Sequence, residues 1–337
     1  TSMVEPARGP MLAVTEPGVR KITIMGPTQL MKTEFINNVV GYFMHQDPAP
    51  MIVRQPTGKL AEAWSKDRLS KMIRDTPALS GLVKDKKSRD SDNTILHKAF
   101  PGGHITVVSS GSTSDLAMRP VRVTLRDEID KYEASKEGDP SKLLSERSAT
   151  FWNSLDIGVC SPTIDGSSQI QAEYELSDKR EFHVPCPDCG HMHYMVWGNV
   201  IWEKDKPETA VYTCPECRSE WNDQKRMKAV SQGEYIATAP FKGHAGFRVN
   251  KLASPWEPLS KLVSKWLESQ GDSEKLKTFL NTQLAEVWVE KGEAPEYKRL
   301  YDRRESYQIG TCPKGVGIIV AGVDVQKSYL QYEIVGY

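Results

Sequence analysis

No apolar run in this sequence approaches the roughly 18 residues that cross a bilayer, and no secretory leader is visible, so no membrane role is expected. Neither sign of charge dominates: 44 basic residues balance 44 acidic ones, and any polyanionic partner has to be met by local basic patches. No internal repeat is seen. Cysteine is sparse, with six in 337 residues, and four of these fall in two CxxC pairs. That pattern excludes a disulfide-built secreted domain and suits a metal in a reducing compartment. What is present, 39% apolar and 26% charged residues, fits a soluble globular chain long enough for two domains and a further fragment.

Strand-like and helix-like segments alternate over residues 19–130. Val19–Met25, Met51–Arg54, His104–Val108, Val121–Leu125 and Asp156–Cys160 read as strands. Glu34–Phe43 and Lys59–Arg74 read as helices, the second with Leu60, Trp64, Leu69 and Ile73 on one side. The alternation predicts an α/β fold with a mainly parallel, doubly wound sheet. From residue 181 the pattern changes to short strands and turns carrying the cysteines, and Leu259–Leu267 and Ser273–Leu284 return to helix. Lys291–Pro313 reads as a linker, Gly317–Val323 as a strand, and Tyr329–Val335 as its hairpin partner.

The first segment with chemistry in it is Gly26-Pro27-Thr28-Gln29-Leu30-Met31-Lys32-Thr33, between a strand and a helix. It follows G-x-x-x-x-G-K-[ST] except that Met31 stands in the second glycine position. Such a loop aims backbone N–H groups at phosphate oxygens beside a helix N-terminus. Lys32 is then placed for the β- and γ-phosphates of ATP, and Thr33 for Mg²⁺. A glycine at 31 would ease a positive φ, so methionine there argues for weaker nucleotide binding. The second segment, VRVTLRDEID, is a strand ending in Asp127 and Glu128. One carboxylate can order Mg²⁺ while the other polarises the attacking water. The third, DIGVCSPT, ends a strand in Ser161 and Thr163, candidates for coupling γ-phosphate state to a polynucleotide site.

Cys186, Cys189, Cys214 and Cys217 are spaced C-x₂-C-x₂₄-C-x₂-C. Thiolates three residues apart reach one tetrahedral ion, so a structural zinc ribbon is expected, closed by four sulfurs and without a catalytic role. His191 and His193 read as surface histidines, Cys160 as a core residue and Cys312 as a linker residue. A stiffening or docking role is favoured for the ribbon over DNA binding, since acidic residues dilute the basic ones that follow it.

The set GPTQLMKTE, LRDEIDKY, CSPT, CPDCGHMH…CPEC and GVDVQ, in this order, resembles the large subunit of lambda-type phage terminases, over roughly residues 10–337. The stretch GFRVNKLASPW…FLNTQLAEVW supports the resemblance. It implies an ATP-driven motor that moves double-stranded DNA into a procapsid, working with a terminase small subunit and the portal as a homo-oligomeric ring in the host cytoplasm. It implies ATP and Mg²⁺ as cofactors, Glu128 as the water-activating carboxylate, and an arginine finger. Arg119 is the favoured finger; Arg122, Arg126 and Arg54 are the other candidates. Asp324, in AGVDVQ, matches the first metal-binding carboxylate of an RNase H-like nuclease. The sequence stops soon after it, so this chain is expected to lack nuclease activity.

The expected organisation is a P-loop ATPase core over 1–180, a zinc ribbon insertion over 181–240, a helical closing region over 241–300, and a linker with the first nuclease hairpin over 301–337. Two other readings stay open: another P-loop translocase or helicase, and a zinc-stabilised interaction scaffold with a degenerate loop, for which Met31 is the best argument.

Overall fold

The computed structural model describes residues 4–83, 93–111, 120–132, 151–290, 301–302, 308, 310–312, 314–325 and 330–336. Arg119, much of the expected linker and Tyr329 lie outside them. The chain forms two compact units, Thr1–Val289 and Glu290–Tyr337.

The first unit begins with helix α1 (Arg8–Ala13), strand β1 (Lys21–Met25), helix α2 (Lys32–His45) and strand β2 (Met51–Gln55). Helices α3 (Gly58–Trp64) and α4 (Ser70–Asp75) follow, joined by a π-helical turn, Ser65–Leu69. The single helix expected over Lys59–Arg74 is therefore wound wider in its middle, where Ser70 Oγ bonds Ser65 O at 2.8 Å. Next come β3 (His97–Phe100), β4 (Gly103–Ser109), β5 (Val123–Asp127), β6 (Leu155–Cys160) and α5 (Gln169–Glu175). The cysteine segment contributes β7 (Arg180–Pro185), β8 (Met192–Tyr194), β9 (Val200–Glu203), β10 (Lys206–Thr213), β11 (Glu220–Trp221) and α6 (Asp223–Val230). The unit closes with β12 (Glu234–Ala237), β13 (His244–Arg248), α7 (Leu259–Ser269) and α8 (Ser273–Phe279).

Ten strands form one sheet in the order β12-β7-β13-β1-β6-β5-β2-β4-β3, with β8 paired to β7. From β7 to β4 all neighbours are parallel, and β12 and β3 close the edges antiparallel. Every residue of β2 and of β5 is buried, as parallel strands covered on both faces require. Phe35, Ile36, Val39, Val40 and Phe43 recur at helical spacing on α2 and share one core with Ile22, Ile24, Val53, Leu125, Ile157 and Phe247 from the sheet. The parallel arrangement positions the site: β1, β6 and β5 are neighbours running the same way, so the residues that follow them emerge at one edge. β5 runs two residues later than the expected Val121–Leu125, which leaves Asp127 as its last residue. The expected helical region 241–300 also supplies a strand, β13, beside β1, and β7 joins the same sheet.

β9, β10 and β11 form a separate three-stranded sheet. It is fixed to α7 and α8 through Trp197, whose ring centroid lies 5.6 Å from that of Trp266 and 5.2 Å from that of Phe279. In the second unit β14 (Ile319–Val325) and β15 (Leu330–Gly336) form an antiparallel hairpin with exposed faces.

Candidate nucleotide site and cysteine centre

β1 ends at Met25, and the N–H of Gly26 still bonds Cys160 O on β6 at 3.1 Å. The chain then turns through Pro27–Met31 into α2. The left-handed residue of this turn is Gln29, at φ +49°. Met31 has φ −152°, which makes no demand for glycine, and its side chain is buried in the main core. The expectation that position 31 needs a positive φ is thus corrected, because position 29 supplies it. Leu30 is buried as well, so two apolar side chains anchor the loop from below.

Lys32 opens α2 with its ammonium group buried. Nζ lies 2.6 Å from Ser161 Oγ, 3.2 Å from Glu128 Oε1 and 3.4 Å from Gly26 O. Ser161 Oγ in turn donates to Gly26 O at 2.8 Å. Thr33 follows, half-buried in the first helical turn, whose N–H groups have no partner within the helix.

Asp127 and Glu128 differ as two carboxylates at one strand end should. Asp127 accepts from Gln55 Nε2 at 3.1 Å, and burial pushes its pKa up despite that hydrogen bond, with the Glu128 charge adding to the rise. Glu128 sits at φ +54°, a left-handed conformation costing a non-glycine residue about 1 kcal/mol, and its N–H bonds Val159 O at 2.8 Å. Burial pushes its pKa up too, but Lys32 at 3.2 Å and Lys131 at 3.1 Å outweigh it and hold the group below the ordinary glutamate value. Glu128 is therefore a carboxylate at neutral pH.

Thr163 is not among the polar partners of Lys32. Its Oγ1 donates to Asp130 Oδ2 at 2.8 Å, and Asp130 also accepts from Ser168 Oγ at 2.6 Å and from the N–H of Ile170 at 2.8 Å. Asp130 thus ties the turn after β5 to the loop after β6 and to the start of α5. A second tie runs below. Arg126, beside Asp127, is buried and forks onto Asp156 on β6, at 2.8 Å from both oxygens, and Glu173 on α5, at 2.7 and 3.0 Å. Gly158 makes room for this, since a Cβ there would lie 3.1 Å from Arg126 Nη2. The two carboxylates outweigh burial and keep Arg126 charged, while Glu173, despite burial, is pulled down to about 2 by Arg126 and Lys21.

Two more of the arginines singled out in the sequence, Arg122 and Arg54, are also engaged. Arg122 pairs with Asp47. Arg54 is buried, donates to Ser110 O at 2.8 Å, and lies over the Tyr132 ring at 4.5 Å. Sequence reasoning missed Gln55 and Asp130. The only signal for Asp130 was its place two residues after Glu128; Gln55 gave none, because its contact depends on β2 lying beside β5.

The four CxxC cysteines converge: their sulfurs all lie within 4.8 Å of one another, with Cys186–Cys217 at 3.7 Å and Cys189–Cys214 at 3.8 Å. A tetrahedral ion with Zn–S bonds of about 2.3 Å requires S···S separations of about 3.8 Å, and none of the four is in a disulfide. His193 is not the surface residue expected. It is buried and stacks on Tyr212 at 5.8 Å, because β8 folds its inward face against β10 and β11. Cys160 is buried, as expected of a core residue, and Cys312 is exposed.

The sequence family described as "Phage terminase large subunit gpA, ATPase domain" matches residues 2–235, and the family described as "Terminase large subunit gpA, endonuclease domain" matches residues 244–337. The chain belongs to the phage terminase large subunit gpA family. The large terminase subunit of Enterobacteria phage P21 is 27% identical over 351 residues, covering 95% of this chain and 54% of the relative. That of Escherichia phage lambda is 25% identical over 362 residues, covering 98% and 56%. The chain thus spans about half the length of these curated relatives. Among solved structures, a mutant of the Thermus phage P74-26 large terminase ATPase domain matches with a TM-score of 0.49 and 12% identity, over 82% of this chain and 93% of that one. Within this gpA-family chain the endonuclease match begins inside the first compact unit, at the first residue of β13. Asp324 lies on β14, exposed and in register with Gln331.

Proposed function

We propose that this chain is the ATP-hydrolysing part of a DNA-packaging motor, a phage or prophage protein that moves double-stranded DNA into a procapsid in the host cytoplasm. The observation that carries the reading is that Lys32 Nζ lies within 3.2 Å of both Glu128 and Ser161, residues from two other segments that end at the same edge of the sheet. The loop Gly26–Thr33 and the start of α2 form the phosphate cradle, and Lys32 reaches the β- and γ-phosphates. Glu128, held ionised by its two lysines, orients and polarises the attacking water. Thr33 and Asp127 are the residues to hold Mg²⁺, which neutralises charge on the phosphate oxygens when bound. The raised pKa of buried Asp127 suits such a place, because a bound cation supplies the counter-charge that the protein withholds.

Ser161 senses the loop through Lys32 and Gly26, and Thr163 reports to Asp130 beside the water-activating residue, so the coupling loop touches both halves of the site. Arg119 is the arginine finger. Arg122 and Arg126 are tied to carboxylates and Arg54 is buried, which favours this choice. The cysteine centre holds a structural zinc ribbon that stiffens the motor against α7 and α8. Asp324 is the first carboxylate of an RNase H-like nuclease, which needs further ligands to bind paired metals. The partners are the terminase small subunit, the portal, and further copies in a ring. Phosphate release from Mg-ATP, measured with and without double-stranded DNA, tests the reading. Turnover stimulated by DNA and abolished in Lys32→Ala is expected; turnover unchanged in Lys32→Ala would contradict it.

A further inference from the structure

The loop Gly26–Thr33 is held by a residue more than 200 positions away. Beyond β13 the chain stays beside β1, with the N–H of Val249 bonding Met25 O, and turns through a short 3₁₀ helix, Lys251–Ala253. The Asn250 side chain caps that turn and also bonds Met195 O at 2.6 Å, which fixes its orientation. Lys251 is buried at 4% exposure, and its ammonium donates to Thr28 O at 2.6 Å and Gln29 O at 3.5 Å. Thr28 is held from its other side as well, since its N–H bonds Thr282 O at 3.0 Å.

These two carbonyls flank the α-carbon of Gln29, the residue at φ +49°. In a trans peptide the N–H points opposite to the C=O. Turning both carbonyls toward one ammonium therefore turns the N–H groups of Gln29 and Leu30 to the other side of the loop. Consecutive amides presented in this way form an anion-binding concavity. We infer that Lys251 is the positioning residue of the phosphate loop: it fixes the left-handed turn at Gln29 and aims the amides of Gln29 and Leu30 at the phosphates. It makes the segment after β13 part of the nucleotide site. The inference rests on the ATP reading of that site.

The test compares Mg-ATP binding by calorimetry and turnover at saturating ATP for the whole chain, for Lys251→Met and for Lys251→Arg. Lys251→Met is expected to raise Kd about tenfold while kcat stays within about threefold, the split of a residue that shapes the ground-state pocket. Lys251→Arg, which keeps the donors, should recover part of the loss. If Lys251→Met fails to fold, Lys251→Gln replaces it under the same criterion, since glutamine is one atom shorter and falls away from Thr28 O. A folded variant with the wild-type Kd overturns the role of Lys251 alone. No binding of Mg-ATP by the wild-type chain overturns the ATP reading, and this inference with it.

Discussion

Ser161 Oγ accepts from Lys32 Nζ at 2.6 Å and donates to Gly26 O at 2.8 Å, so one hydroxyl joins the end of β6 to both ends of the loop between β1 and α2. Removing it leaves a buried carbonyl without that donor and a buried ammonium without that acceptor. Ser161→Ala should therefore lower stability by about 1–3 kcal/mol, read as a lower denaturant midpoint at unchanged m-value. It should also reduce DNA-stimulated turnover more than nucleotide affinity. An unchanged midpoint would mean that the hydroxyl is dispensable to the loop.

Restoring the expected glycine should not improve the site. Met31 is buried at 6% exposure and has a negative φ, so Met31→Gly loses core burial and gains backbone freedom without relieving strain. The expected cost is about 2–4 kcal/mol of stability, with Mg-ATP affinity no better than wild type. A glycine variant that binds nucleotide more tightly at unchanged melting temperature would show that the methionine obstructs the loop.

Acid should weaken the fold from near-neutral pH. His244 lies on β13 with Nε2 2.8 Å from Thr23 Oγ1, and burial, with Lys21 nearby, lowers its pKa to about 4. The unfolded value is about 6.5, so the unfolded chain binds the proton first. The associated stability is complete above about pH 6.5 and is lost as pH falls toward about 4. Glu173, at about 2 in the fold, adds a further loss below the ordinary glutamate value near 4.5. Melting temperature followed from pH 7 to pH 4 should fall, and His244→Gln should flatten the part between pH 6.5 and 4. A melting temperature constant over that interval would remove His244 from the explanation.

The cysteine centre should depend on metal. One zinc per chain is expected by elemental analysis. Chelation, or Cys214→Ser, should lower the melting temperature by roughly 5–10 °C, the shift that a few kcal/mol produces in a domain of this size. The ribbon's aromatic contacts with α7 and α8 should loosen at the same time, visible as a change in Trp197 and Trp266 fluorescence. A chain that melts identically with and without chelator would make the four thiols merely adjacent.

What the sequence made legible was local. The apolar runs of β1, β2, β4 and β6, the helical segment that became α2, and the CxxC spacing each depend on a few consecutive residues, and each is found where it was read. What escaped depends on distant neighbours. HAGFR carries too short an apolar pattern to announce a strand, and it becomes β13 only because β1 offers it a parallel edge. Gln55 meets Asp127 only because β2 lies beside β5, and Lys251 meets Thr28 only because the chain follows β1 after β13. Met31 misled for a related reason: the motif assigns the positive φ by position, whereas contacts from outside the motif let Gln29 carry it.

The most direct measurement is Mg-ATP binding by Glu128→Gln compared with Glu128→Gln/Lys32→Ala. The first substitution removes the carboxylate that pairs with Lys32 and polarises water, so nucleotide should bind saturably without turnover. Adding Lys32→Ala should weaken that binding by at least about 100-fold. Equal affinity of the two variants, or no binding by either at millimolar nucleotide, would contradict the assignment of the loop Gly26–Thr33 as the phosphate cradle.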